Sequence, residues 1–480
     1  MELGPQTSGG TGGGSGANRD DGASAVSVTA AASERVYRVY KRRWFGLVEL
    51  TLLNIVASWD WLTFSPVASQ AATYFNTDET AVNWFSTCFM FANVVVAPAV
   101  IYVLHLGPKL SISTSAALLL VGNWLRYAGC HSSESGIFGL VMFGQILTGA
   151  AQAFVLAAPT RYSDLWFTNR GRVGATALAS LANPFGAALG QLIIPFWVQD
   201  ARDVSSMVLY VSIIATICAL PAFFIPARPP TPAAPSSVTP KLPLPASLRV
   251  LASRLEFWLL FVPFAIYVGL FNSISTILNQ VLVPYGYSEE EAGIAGAILI
   301  VVGLVVAGLV SPVIDRTKAF LPLIRTAVPV AGLALLLFVW MPETRAGGGV
   351  AGPYLAMALL GAAAFSLLPV AVEFLVEVTH PVSPEVTSTV SWSAGQLLGG
   401  VFIIISGALK DEGEGAEPRG NMKRALVFSA VIGLAVVPLP LCLGMFGRSE
   451  QVKLRRVDSD EAVGRAAPGV GVYRDSVGER

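Results

Sequence analysis

The sequence predicts an all-α membrane protein, with twelve transmembrane helices in two six-helix halves. Three observations carry this. Apolar residues make up 54% of the 480-residue chain and charged residues only 13%, about half the charged share of an ordinary soluble domain, and the mean hydropathy is +0.62. From Trp44 onward, apolar segments recur at close to the roughly 20 residues that cross a bilayer. A Pro-rich stretch, 226-PARPPTPAAPSSVTPKLPLP, divides these segments six and six.

The first half is expected to span the membrane at 44–68, 83–104, 110–129, 136–159, 173–198 and 206–225. The second is expected to do so at 256–283, 290–313, 321–341, 352–378, 386–409 and 425–446. These give an N-terminal half over 41–225, a cytosolic linker over 226–254 and a C-terminal half over 255–446. Residues 1–40 are rich in Gly, Ser, Ala and Thr, with too little apolar surface to offset ordering entropy, and are expected to be a disordered cytosolic terminus. The charged tail, 447–480, is placed on the same side. No cleavable apolar signal core precedes the first span.

Lys and Arg placement orients the helices. With the N-terminus inside, the cytoplasmic side collects Arg35, Arg38, Lys41, Arg42, Arg43, Lys109, Arg161, Arg170, Arg172 and many bases of the linker and tail. The opposite side collects Arg126, Arg202, Arg345, Lys410, Arg419, Lys423 and Arg424.

Several function classes are set aside. Lys+Arg and Asp+Glu balance at 31 each, and no basic patch with interleaved aromatics suggests nucleic acid. Cys88, Cys130, Cys218 and Cys442 are far apart with no CxxC pair, and His105, His131 and His380 are scattered, so neither a disulfide framework nor a metal site is expected. The glycine run 9-GGTGGGSG lacks the Lys and the flanking strand of a phosphate loop. No catalytic constellation appears, so the chain is not expected to be an enzyme, and no cofactor is expected. Its partners are a small-molecule solute and the lipid bilayer. No glycosylation sequon occurs, and plasma membrane and vacuolar or lysosomal membrane are both compatible.

The six-plus-six plan resembles the major facilitator superfamily. Segment 311-SPVIDRTK matches that superfamily's D-R-x-[KR] loop after the eighth helix, which implies that Asp315 and Arg316 latch the cytoplasmic ends of the C-terminal half. The equivalent loop of the first half, 104-LHLGPK, keeps Gly107 and Lys109 but lacks the acid. Four stretches, 144-GQILTGAAQAFVLAAPTRYSDLWF, 275-STILNQVLVPYGYSEEEAGIAG, 368-LPVAVEFLVEVTHP and 393-SAGQLLGG, resemble the feline leukaemia virus subgroup C receptor family. That resemblance implies a secondary transporter working by alternating access. The family is linked to choline and ethanolamine uptake, haem export and vitamin transport.

In such transporters the solute sits near the midplane, between the halves, so polar residues deep in spans are the candidates. Segment 58-SWDWLTFSP places Asp60 and Trp61 in the first span. Asp60 has four readings: cation coordination, proton coupling, an ion pair, or solvation near the outer headgroups. Trp61 aligns with an aromatic that faces a quaternary ammonium in choline-transporting relatives, and Trp59 fits a core or interfacial role. Gln145 and Gln152 share one face of the fourth span, and Gln152 aligns with a family solute contact. Asn272, Ser275, Thr276 and Asn279 form one polar stripe, with Asn272 standing where choline-transporting relatives have Tyr. Gln396 also aligns with a family solute contact.

Gating or structural roles are expected for Arg161 and Asp164 beside 159-PTR, and for Glu373 and Glu377, which match a family E-x-x-x-E pattern. Gly186 and Gly190 in 183-NPFGAALGQ suit close helix packing, with a hinge as the alternative. The favoured solute is a cationic amine such as choline or ethanolamine, held by Asp60, Trp61, Gln152, Asn272 and Gln396. A neutral or anionic solute, such as a vitamin or porphyrin, is the second reading. A non-transporting sensor or receptor on the same fold is the third.

Overall fold

The computed structural model describes residues 40–167, 169–231, 244–317, 319–379, 382–413 and 415–444. The expected disordered terminus (save residue 40), the middle of the linker and the charged tail lie outside the described residues. Twelve long helices run in order: α1 Arg42–Trp61, α2 Glu79–Leu106, α3 Pro108–His131, α4 Phe138–Leu156, α5 Asn169–Trp197, α6 Asp203–Ala219, α7 Leu255–Leu282, α8 Glu289–Thr317, α9 Phe320–Phe338, α10 Ala351–Thr379, α11 Pro384–Ala408 and α12 Lys423–Ala435. Eleven of these segments are long and apolar enough to cross a membrane. The other, α3, is 24 residues long but more polar, because its buried face carries Ser111, Ser115, Asn123 and Arg126. Ten residues near the end of the expected linker form a helix, Leu244–Ser253.

The helix pairings repeat between halves. In the first half α1 packs on α5, α2 on α4, and α3 on α4 and α6. In the second, α7 packs on α11, α8 on α10, and α9 on α10 and α12. The halves meet through α2 against α11 and α5 against α8.

Glycines set the closest approaches. A Cβ on Gly149 of α4 would lie 2.3 Å from the Phe89 carbonyl oxygen of α2. One on Gly361 of α10 would lie 1.8 Å from the Leu299 carbonyl oxygen of α8. Gly186 of α5 comes equally near α1, its Cβ falling 2.0 Å from the Ile55 carbonyl oxygen. The expected close packing at Gly186 is present, since only a residue without a side chain lets the backbones meet there.

The first span is broken. Helix α1 ends at Trp61, a 3-10 turn follows at Ser65–Val67, and the helix resumes over Ala68–Tyr74. The carbonyls released at the break are satisfied by polar groups. Thr63 Oγ1 donates to the Trp59 and Asp60 carbonyls, and Gln145 Nε2 donates to the Asp60 carbonyl at 3.0 Å.

Apart from a few that join the core of the second half, among them Trp61, Phe89 and Met90, the buried apolar residues of the first half form two clusters. One, around Leu50, Leu53 and Leu119, lies toward the termini. The other, around Phe64, Phe85 and Val141, lies toward the opposite end. Large apolar side chains such as Val95, Ile217 and Leu309 are exposed, as suits helices that face lipid.

Candidate functional site

Asp60 lies between those two apolar clusters. It is 0% exposed, and so is its partner Arg126 of α3, whose Nη1 donates to Asp60 Oδ1 at 2.9 Å. Asn123, one turn before Arg126, donates through Nδ2 to the other carboxylate oxygen at 2.6 Å and accepts from Arg126 Nη1 at 3.3 Å. The Arg126 guanidinium also lies over the Phe64 ring, 5.4 Å from its centroid. Of the readings for Asp60, the ion pair is the one present, and its carboxylate is turned to α3 within its own half. This corrects the expectation that it faces a solute's charge. It also removes Arg126 from the outer-side bases: burial carries it into the bundle, where Asp60 neutralises it.

Trp61, next in sequence, points to the other half. Its ring centroid is 6.3 Å from that of Phe271 on α7, which in turn meets Phe365 of α10 edge-on at 5.3 Å. Trp61 is 5% exposed, and its indole Nε1 has no hydrogen-bond partner. Trp59 instead stacks on Trp197 at 5.9 Å in the core of the first half.

Beside this aromatic corner, Asn272 Nδ2 donates to Gln396 Oε1 at 3.0 Å, joining α7 to α11. A Cβ on Gly399 would lie 2.9 Å from both Asn272 Cβ and Met90 Sδ, so α2, α7 and α11 converge there. Gln152 is one turn beyond Gly149, the point where α4 touches Phe89 of α2. That register sets Gln152 at the depth of Asn93. Gln152 Oε1 and Asn93 Nδ2 are buried without partners. In the polar stripe of α7, Ser275 Oγ and Thr276 Oγ1 likewise have none. Trp61, Asn272 and Gln396 therefore come together, with Gln152 about one turn away on the facing helix. Asn93 and Met90 join them unanticipated, while Phe271 is the aromatic that the sequence places next to Asn272. The signal for Asn93 was present: Asn83, Ser86, Met90 and Asn93 share one face of α2 by helical spacing.

At the end away from the termini, outer by the Lys and Arg placement, the halves are tied by polar groups. Asn83 and Gln280 exchange amide hydrogen bonds of 3.2 and 2.8 Å, and Asn279 Nδ2 donates to the Pro66 carbonyl at 2.8 Å. Ser69 donates to Glu289, and Lys410 pairs with Glu79 at 3.0 Å. Asn83→Leu leaves the Gln280 amide buried and unpartnered, a loss of about 1–3 kcal/mol to this closed end alone. Thiol labelling of Ser275→Cys by a membrane-impermeant reagent is expected to rise about tenfold in that background. Unchanged labelling would show that the amide pair does not hold the halves together.

Toward the termini, Arg161 and Asp164 pair at 3.6 Å within the short helix Ala158–Trp166, which packs against α11. Glu377 is buried and Glu373 half-buried in the last turns of α10, and neither is without a partner. Asp315 and Arg316 end α8, and their side chains lie outside the described residues. Glu49 of α1 is also buried, with one carboxylate oxygen unpartnered. Sequence reasoning passed over it as part of the entry to the first span.

The family model of the Major Facilitator Superfamily matches residues 50–381. Solute carrier family 49 member A3 of Danio rerio is 35% identical over 386 residues, covering 79% of this chain and 81% of that protein. The chain belongs to solute carrier family 49 of the major facilitator superfamily. The choline/ethanolamine transporter FLVCR1 of Felis catus is 28% identical, over 77% of this chain and 68% of the relative, in keeping with the resemblance carried by the four sequence stretches. Among solved structures, the fold matches a D-xylose-proton symporter (TM-score 0.64, 15% identity, 82% of this chain and 97% of that one). It also matches the xylose transporter XylE of E. coli (TM-score 0.62, 14% identity, 85% and 98%). This member of the superfamily is thus a multi-pass membrane protein and a secondary transporter that works by alternating access, and the non-transporting reading is set aside.

Proposed function

We propose that this transporter carries a small organic cation of the choline or ethanolamine type, bound between Trp61 and the amides of Gln152, Asn272 and Gln396. The observation that carries the reading is the aromatic corner of Trp61 and Phe271, formed from both halves beside buried amides with unused hydrogen-bonding capacity. An aromatic face attracts a desolvated ammonium by about 2 kcal/mol. An amide oxygen such as Gln152 Oε1 can accept from an amine or hydroxyl. Relatives named as choline/ethanolamine transporters, among them FLVCR1 of Felis catus and flvcr2a of Danio rerio, support the same class.

One observation favours a second reading, a neutral polar solute. Asp60 is already neutralised by Arg126, and Asn272 presents an amide where the choline-transporting relatives are expected to have an aromatic ring. Uptake of radiolabelled choline and ethanolamine into proteoliposomes separates the two. For the cation, Trp61→Ala is expected to reduce uptake more than tenfold, since about 1.4 kcal/mol is a factor of ten, with unchanged yield of folded protein. Wild-type rates in that variant would remove Trp61 from the site. Absence of amine uptake by the wild type would favour the neutral solute.

A further inference from the structure

The buried charge pair of the first half has properties that a solute contact does not need. Both members are fully enclosed, yet Arg126 uses one nitrogen, Nη1, for both of its hydrogen bonds, while Nε and Nη2 are buried without hydrogen-bond partners. The pair sits where the first span breaks. The segment beyond the break is fastened to the other half by the Asn279 bond to the Pro66 carbonyl and by Ser69 to Glu289. Asp60 also adjoins Trp61 in the chain, and its carbonyl accepts from Gln145, which shares a helix face with Gln152.

We propose that Asp60 is a proton-binding site through which this protein exchanges a bound organic cation for a proton. Deprotonated, the Asp60–Arg126 pair is neutral and leaves the aromatic corner free to take a cation. When the far end opens, the bonds to Pro66 and Ser69 part and water reaches the break. A proton then forms an O–H bond on a carboxylate oxygen of Asp60, Arg126 keeps its own proton, and the pair changes from neutral to one positive charge. That charge stands close to the Trp61 site. Repulsion between unit charges about two helical turns apart, at an effective dielectric of about 20, weakens cation binding about tenfold. Proton and cation therefore exclude one another, which is the requirement for exchange.

Few charged groups compete for this role. Among the described residues the charged group paired with Asp60 is Arg126, and the thiol of Cys130, one turn further along α3, lies within electrostatic reach of Arg126. From α4 the facing group is the neutral Gln145, and from α2 the hydroxyl of Ser86, which bonds the Trp61 carbonyl. Glu49 lies three turns below on α1 itself. The acids at the far end are engaged there: Glu79 with Lys410, Glu291 with Arg345, Glu343 with Lys423, and Glu289 with Ser69 through one carboxylate oxygen, the other being buried without a partner.

The transport arm of the test rests on the cation reading, and the spectroscopic arm does not. In proteoliposomes loaded acidic inside, wild-type protein is expected to accumulate radiolabelled choline or ethanolamine about tenfold per pH unit, the limit for one proton exchanged per cation. Asp60→Asn leaves the Arg126 charge uncompensated, as protonation does, so it is expected to lose accumulation and to exchange labelled for unlabelled amine at equal pH with about tenfold weaker apparent affinity. Glu49→Gln is expected to accumulate as the wild type does. If the wild type exchanges amine at equal pH but no pH gradient alters its uptake, or if acid outside drives uptake, proton exchange is overturned while the cation site stands. If no amine is exchanged at all, the cation site fails instead, and with it cation–proton exchange. The proton site itself is read without solute, from the carbonyl stretch of a protonated carboxyl in infrared difference spectra between acid and neutral pH. A component of that band is expected in the wild type and missing from Asp60→Asn, against the background of the other carboxyl groups; identical spectra would overturn it. Should Asp60→Asn fail to fold, the double variant Asp60→Asn with Arg126→Gln removes both charges and serves in its place.

Discussion

Replacing Arg126 with leucine is expected to cost about 3–5 kcal/mol of stability, because it leaves the Asp60 carboxylate buried without its counter-charge. The environment offers little relief. Asp60 is 0% exposed, and the remaining side-chain donor to it, Asn123, is neutral. Apolar residues lie on both sides, from Leu53 and Leu119 to Phe64 and Phe85. The double variant Asp60→Leu with Arg126→Leu is expected to recover most of the loss, since exchanging a buried pair for apolar residues of similar volume is often neutral or better. Thermal melting of the detergent-purified protein reads both. A single variant as stable as the wild type would mean that the carboxylate finds another partner or reaches water.

The second large effect is expected from Gly361→Val. Any side chain there begins 1.8 Å from the Leu299 carbonyl oxygen, and that neighbour is backbone inside α8, which no rotamer change can move. Overpacking a core typically costs about 1–3 kcal/mol, and a backbone clash belongs at the upper end. Gly149→Val, facing the Phe89 carbonyl, is expected to behave alike. Gly308 on the same α8 is the control: nothing lies within 4 Å of its Cβ position. Gly308→Ala is expected to be neutral or to gain up to about 1 kcal/mol of helix propensity. Equal melting temperatures for Gly361→Val and Gly308→Ala would contradict the close contact.

The spans were legible because apolar length is a local property of the chain. Each expected span overlaps an observed helix, and even the polar α3 was found. Pairings across helices were not legible. Asp60 and Arg126 are 66 residues apart, and a base five residues from the end of α3 reads as a headgroup-level charge when taken alone. The clue lay in the company it keeps. Ser111, Ser115, Leu119, Gly122 and Arg126 fall on one face, and a face with small and polar residues and one charge is turned inward. Trp61, Asn272 and Gln396 were legible as a group through the family resemblance. Their convergence depends on Gly399, which lets Asn272 and Met90 approach and which sequence alone reads only as a packing residue. The ends of the bundle were the least legible. The bonds from Asn83 to Gln280 and from Ser69 to Glu289 join residues 197 and 220 positions apart, and nothing local marks them as partners.

The matching contacts of Gly149 with Phe89 and of Gly361 with Leu299 have a mechanical consequence. Where two helix backbones touch, neither can slide along the other without lifting away, so each half resists shear at the same place. A transporter must nevertheless deform to expose its cargo first to one compartment and then to the other. With the interiors stiffened, and α5 touching α8 by backbone at Gly293 and Gln191 as well, the compliance is left to the break after Trp61 and to the seam of α2 and the broken first span against α7, where polar side chains hold the parts in register. Hydrogen bonds of that kind can be exchanged for water one at a time. The resistance to motion is therefore divided into small steps along the seam, instead of rising as one barrier through the packed interior of either half.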